Sequence, residues 1–479
     1  MSDSTEPSLA HLLAAHFTAA LEEVILAIRD ELAAGRKPRG DRREPSISYG
    51  DNGMPRLSDG SNWEERGPLQ YADLLEREVD PERPFNKIKF ERGRFSQVDA
   101  LSDFIQENPS CAKTYNIEPQ LKEESAFDLT RVVVEFQLQH AVNRFFQRFG
   151  NVSFDDHRRT LLLAPIFRGM FNERVRVTNV IPIALVKFDF SRMRLAPDAY
   201  IIRMSEGLQK KRWSVKAYGS SGHDGVVSAA THAFVITGWN WPNLPWLQMS
   251  SNLTAHTPAL REKIEELFAA LRLVTGASTG YAQELRLARG WTHLHVDQSP
   301  EVYAAGARRY SEEFDNFGWT RDDIATISRE QMGEIATALR QIRSINDDRL
   351  SLASRRMNGA MIRSEAADAI LDATIALEIL LGDGDSQAVG YKLRIRAAAL
   401  ANFDEPGTGV EIGAAIKQIY EARSRIVHGA LRKRQSGKAR LDQDDCDLAV
   451  KTLRRILRIV IKHSKYLNPK RIDADLLFV

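Results

Sequence analysis

Apolar residues recur along this chain at two different spacings, and the change of spacing divides it. Residues 8 to 34 carry Leu9, Leu12, Leu13, Phe17, Leu21, Val24, Leu26 and Ile28 at helical intervals, which predicts one amphipathic helix. The stretch 35 to 68 has no apolar period and is rich in Gly, Pro, Ser, Asp and Arg, so a flexible linker is expected. Short helices follow over 70 to 150, with one long run from Val133 to Phe149. From about 158 to 250 the spacing shortens. Thr160–Pro165, Ile181–Phe190, Ala199–Met204 and Ala233–Trp239 read as strands, and Trp213, Trp239, Trp241 and Trp246 cluster in this part. A helix over Leu260–Val274 then leads to a strand-like stretch, Trp291 to Val296. Beyond about 320 the pattern is helical, over 329–343, 350–381, 412–428 and 444–466. The expectation is an α+β chain of four parts. They are an N-terminal helix (1–34), a linker (35–68), a mixed α/β sensor or regulatory region (69–320) and an all-α bundle (321–479).

Composition narrows the class. A chain with 43% hydrophobic and 27% charged residues is that of a folded globular protein. Cys111 and Cys446 are the two cysteines, too few for a disulfide framework or a cysteine-rich zinc site, which fits a reducing interior. The opening Met-Ser-Asp-Ser-Thr-Glu lacks the basic start of a secretory signal, and no long uncharged run suggests a membrane span, so a cytoplasmic location is expected. Charge is unevenly spread. Between Arg423 and Arg471 fifteen Lys and Arg face four Asp, so this window carries +11 and the rest of the chain −9 of the net +2. Such a segment suits either a polyanionic partner or a solvated helix face.

Three motifs lose on context. Gly276-Ala-Ser278-Thr-Gly280 has the spacing of a hydrolase nucleophile elbow, but a long helix precedes it where a strand is required, and the glycines more simply end that helix. His293-Leu-His295 would place two rings on one face of a strand, yet no third metal ligand is identifiable. Gly219, Gly222 and Gly225 lack a following Gly-Lys-Ser/Thr and read as a hairpin connection.

The C-terminal helices carry the candidate chemistry. Ile412, Ala415, Ile416, Ile419, Ala422 and Ile426 form one stripe, and Arg423 lies inside it. A guanidinium there needs an acid or strong acceptors. Glu378, on a face with Ala367, Leu371 and Thr374, is the matching carboxylate, either as a plain internal ion pair or as part of a site. His428 precedes Gly429, where the helix should stop. The helix macrodipole favours a charged histidine there and moves its titration toward neutral pH, which suits either proton transfer or simple capping. Arg423 and His428 are five apart, about 140° around an ideal helix, so the helix end unwinds or a second copy completes the site. Ser424 and Tyr420 share the face of His428.

The run Tyr420-Glu-Ala-Arg-Ser-Arg-Ile-Val-His-Gly, with Arg363-Ser-Glu365, Ile375-Ala-Leu-Glu378 and Arg394-Ile-Arg396-Ala-Ala before it, resembles the HEPN superfamily, Apea-like branch, over about 320 to 470. Where that family usually has another acid, this chain has Ala366 and Ala367. The resemblance implies a dimeric, metal-independent endoribonuclease that needs no cofactor. It implies that Arg423 holds the scissile phosphate and that His428 serves as general base or acid, leaving a 2′,3′-cyclic phosphate. Glu378 would position Arg423, with Arg396, Tyr420 and Ser424 in support. Arg432, Lys433, Arg434, Lys438 and Arg440 directly follow the histidine and would track the RNA backbone. It further implies an abortive-infection defence effector whose N-terminal region senses a phage-derived trigger. A non-catalytic nucleotide- or RNA-binding module and a dimerising scaffold are the other two classes open to this sequence.

Overall fold

The computed structural model describes residues 8–40, 45–59, 67–77, 89–114, 129–215, 224–244, 251–253, 255, 257–289, 302–307, 318–321, 323–384, 387–427 and 438–478. Helix α1 (Leu9–Ala33) starts at Ser8, whose hydroxyl accepts the His11 N–H. Its buried face of Leu13, Phe17, Leu21, Val24 and Ile28 meets α2 (Ser96–Glu107), α3 (Leu129–Phe149) and α4 (Asp156–Phe171) in one apolar core. Phe95 offers α2 no side-chain cap, and Glu23 of α1 fills that role by accepting from the Gln97 N–H and the Ser96 hydroxyl. By length and composition α1 could cross a bilayer, contrary to the expectation from sequence, but its apolar side lies in this core. The expected strand Thr160–Pro165 is instead part of α4, where Leu162, Leu163 and Ile166 face the same core. A short apolar run has no periodicity of its own to separate the two states.

Part of the expected linker is ordered structure. Ser46–Tyr49 pairs antiparallel with Pro55–Ser58, and fully buried Met54 and Leu57 pack with Trp213 and Trp319. Two alternating apolar positions suffice for a short hairpin but are too few to register as a period.

The sheet is antiparallel throughout. Its strands are β1 (Arg174–Ile183), β2 (Arg192–Ala196), β3 (Ala199–Arg203), β4 (His232–Pro242), β5 (Gln283–Arg289) and β6 (Tyr303–Ala307). Their order is β6-β5-β1-β4-β3-β2. The β1–β4 register shifts beside Gly238, whose φ of 89° is one that glycine tolerates. Between β3 and β4 the chain forms α5 (Glu206–Ser214) and a short helix Asp224–Ser228, so Gly225 is helical and not in a hairpin connection. Gly219, Gly222, His293, His295, Trp246 and the stretch Trp291–Val296 lie outside the described residues.

Helix α6 (Pro258–Thr275) crosses one face of the sheet and ends at Gly276 in the left-handed region, as the glycine pair predicts. The helical part follows. It comprises α7 (Arg329–Ile345), α8 (Asp348–Ala360), α9 (Ala366–Leu381), α10 (Val389–Asp404), α11 (Gly409–Val427) and α12 (Lys438–Lys462). The single helix expected over 350–381 is therefore two, and α10 has no counterpart among the expected elements. Ile181, Ile183, Phe234 and Ile236 of the sheet share one continuous core with α6 and with α7 to α12. The expected boundary near 320 is not a boundary of packing. The two largest cores among the described residues both draw on 69–320, one shared with α1 and the other with the bundle.

Arginines hold two helix ends in this body. Arg454 Nη2 and Arg458 Nε of α12 donate to the Leu273 carbonyl in the last turn of α6, at 3.1 and 3.0 Å. Arg349 donates to the carbonyls of Ile379 and Gly382 and Arg396 to that of Leu381, all at the end of α9. The last carbonyls of a helix lack partners within it and carry its negative pole, so a guanidinium fits there without a carboxylate.

Candidate functional site

The site grows from the packing of α11 on α10. A Cβ on Gly409 would lie 2.7 Å from the Ala398 carbonyl, so only glycine permits this approach at the start of α11. Near its other end the half-buried Tyr420 ring lies over Gly390, where a Cβ would meet Cδ1 at 3.1 Å. Ile412, Ala415, Ile416, Ile419 and Ala422 are buried as the stripe predicts, while Ile426 is partly buried.

Arg423 stands one turn beyond Tyr420, half-buried, with its Cζ 5.7 Å from the centre of the Tyr420 ring. The expected ion pair with Glu378 is not formed, although α9 and α11 pack in the same core. Both side chains are half-buried and keep access to water, and the ring face supplies the guanidinium with a partner three residues away. Arg423 has no carboxylate partner among the described residues. Ser424 is half-buried beside it.

Arg396 belongs elsewhere. Its guanidinium is 2.6 Å from Asp473 and 2.7 Å from Asp383, and the side chain is almost fully buried. Hydrogen bonds to Asp473 and then Asp383 outweigh burial and hold it more firmly protonated than usual. It ties α10 to the C-terminal turn at Asp473, and its expected support of Arg423 is replaced by a structural role.

A clamp that sequence reasoning missed joins α11 to α12. Asp445 accepts from Arg425 Nη2 and from Gln418 Nε2, both at 2.7 Å, and its carboxylate is largely buried. The available signal was the spacing of Gln418 and Arg425, seven apart and so on one face of α11. The clamp fixes both helices that flank 428–437. His428, Arg432, Lys433 and Arg434 lie outside the described residues, as do the side chains of Lys438 and Arg440 in the first turn of α12. Val427 is the last residue of α11.

Much of the basic C-terminal charge is used within the chain. Arg455 bonds Thr408 and Glu405, Lys462 pairs with Asp404 and Lys465 with Asp475, in addition to the roles of Arg425, Arg454 and Arg458. The reading of this segment as a footprint for a polyanion therefore narrows, among the described residues, to Arg423, Lys451, Lys470 and Arg471, beside the basic residues between 428 and 440. Cys446, beside the clamp, is no nucleophile, since burial and then Asp447 push its thiol up to about 11. No protein family description, no curated protein and no solved structure matches this chain.

Proposed function

We propose that the chain is a metal-independent endoribonuclease of the HEPN type, acting as a homodimer through Arg423 and His428. The observation that carries this reading is Arg423 itself. It is a half-buried guanidinium without a carboxylate among the described residues, braced on Tyr420 near the end of α11, five residues before the histidine. A guanidinium left in that state can bind a phosphate in a bidentate manner and stabilise charge that develops on it during transfer. His428 would take the proton from a ribose 2′-hydroxyl or return one to the departing 5′-oxygen. The 2′-oxygen attacks the adjacent phosphorus and the bond to the 5′-oxygen breaks, giving a 2′,3′-cyclic phosphate and a 5′-hydroxyl. A two-fold that brings two copies of α11 together answers the angular separation of Arg423 and His428. The N-terminal residues up to about 300 act on this reading as the restraint and sensor of a defence effector in the cytoplasm.

The test is expression of wild type, His428→Ala and Arg423→Lys in bacteria, with and without phage challenge, followed by mapping of RNA ends. Cyclic-phosphate fragments from wild type alone are expected. Intact RNA with all three proteins under every challenge would remove catalysis and leave a binding or dimerising bundle.

A further inference from the structure

The face of the sheet turned away from α6 is rich in arginine. The register places Arg174 and Arg176 of β1 on it with Thr178 and Val180, opposite in direction from Val175 and Val177, which are buried with Trp239 and Trp241. Arg192 and Arg194 of β2 lie on the same face, paired with Ile202 and Tyr200 of β3. Leu208 of α5 covers the middle of this face together with Val235 and Leu285, while all four arginines remain exposed.

None of the four has a carboxylate partner among the described residues. Arg174 Nη2 donates to the Asn240 carbonyl at 2.8 Å, and Arg194 donates to the carbonyls of Ala196 and Pro197. Arg192 lies over the Tyr200 ring, 4.6 Å from its centre.

We infer that this face binds the backbone of single-stranded RNA and so feeds substrate to the nuclease, an inference that rests on the function proposed above. Residues two apart on a strand are about 7 Å apart, so Arg174 with Arg176 and Arg192 with Arg194 each form a pair of closely spaced cations. Strand geometry puts about 16 Å between Arg176 and Tyr200, a span that a few nucleotides cover. The Arg192 guanidinium, held over Tyr200, leaves its second face for an unstacked base. That platform favours RNA over an acidic peptide, which has phosphate-like charge but no base to stack.

The experiment uses the full chain carrying His428→Ala, so that RNA survives, and a fluorescent 12-nucleotide RNA followed by anisotropy over a range of salt. Arg174→Glu with Arg176→Glu, and separately Arg192→Glu with Arg194→Glu, should each weaken binding at least tenfold. Each should also lower the slope of log affinity against log salt by about 0.7 for every phosphate no longer neutralised. Arg176→Gln, which removes one charge with little perturbation of the strand, should give a smaller loss in the same direction with an unchanged melting curve. Unchanged affinity and slope in both charge-reversed proteins would overturn the inference, as would displacement of RNA by polyglutamate at equal charge. Cleavage by the chain with His428 intact is scored separately. Loss of binding without any cleavage in that chain keeps the RNA face and removes the nuclease, whereas cleavage with unaltered binding does the reverse.

Discussion

The carboxylate of Asp445 on α12 receives both Arg425 and Gln418 of α11, each at 2.7 Å, and so locks together the two helices that flank the proposed histidine. Asp445→Ala should cost more than Arg425→Ala. Arg425 is half in solvent and its removal leaves Asp445 the Gln418 bond, so it should cost at most about 1 kcal/mol, whereas losing the acceptor removes both bonds at roughly 1 kcal/mol each. Urea melts of the two variants check the order. Equal midpoints would show that the clamp is not what holds these ends.

Arg396 should prove structural. Arg396→Ala takes the Arg396 cation from Asp473 and leaves Asp383 with Lys392, and a loss of about 3 kcal/mol is expected. If RNA cleavage is found, the residual activity per folded molecule should be near normal at low temperature. A stable variant with no activity would return Arg396 to the site.

His232 makes stability depend on pH. It is buried, with Nε2 against the Phe190 carbonyl and Nδ1 against the Thr231 hydroxyl, and burial pushes its pKa down to about 4. The unfolded chain takes up the proton near 6.5, the folded one not until about 4. Between those values the unfolded state holds more protons, so stability falls as pH falls, by up to about 1.4 kcal/mol per pH unit. Denaturant midpoints at pH 7 and pH 5 measure this, and His232→Gln should flatten that part of the profile. An identical slope in the variant would assign the effect to other groups.

Asn179 of β1 is buried with neither amide atom partnered among the described residues, next to its register partner Arg286, whose Nε likewise has no partner among them. Replacing a buried amide that makes no bond removes a desolvation cost of about 1–3 kcal/mol. Asn179→Leu should therefore raise the melting temperature. A fall would show that ordered water satisfies this amide.

How far the sequence revealed this fold varies from element to element. Helix α1, the strands β3 and β4, and the Gly276 stop were legible because period and turn chemistry agree there, whereas the strand expected over Ile181–Phe190 meets β1 only at 181–183. One core runs across the boundary expected near 320, and the sequence carries a signal for that. Leu267, Phe268, Ala269, Ala270, Leu271 and Leu273 leave α6 apolar on every side, which is the mark of a helix buried between two layers. The break between α8 and α9 is not marked in the sequence because 361–365 lacks a proline and a glycine, and Met361 and Ile362 continue the apolar residues of α8. At the site, the stripe around Arg423 was readable from spacing alone. The choice of Tyr420 over Glu378 as its neighbour was not, because it depends on how deeply α11 sits against α9.

A cut at residue 320 should accordingly release no folded bundle, since it strips α6 and the sheet from a shared core. Circular dichroism and thermal melts of the fragment decide this. A cooperative melt of 321–479 would overturn the shared-core reading.

The carbonyls at the ends of α6 and α9 are gripped by side chains whose head group is also a common denaturant. Guanidinium chloride offers those same oxygens a chemically identical donor at molar concentration, so it competes for the fastenings themselves as well as for apolar and peptide surface. Urea, which is uncharged, does so less directly. This body should thus come apart in guanidinium at a concentration lower than the usual twofold relation to urea would suggest.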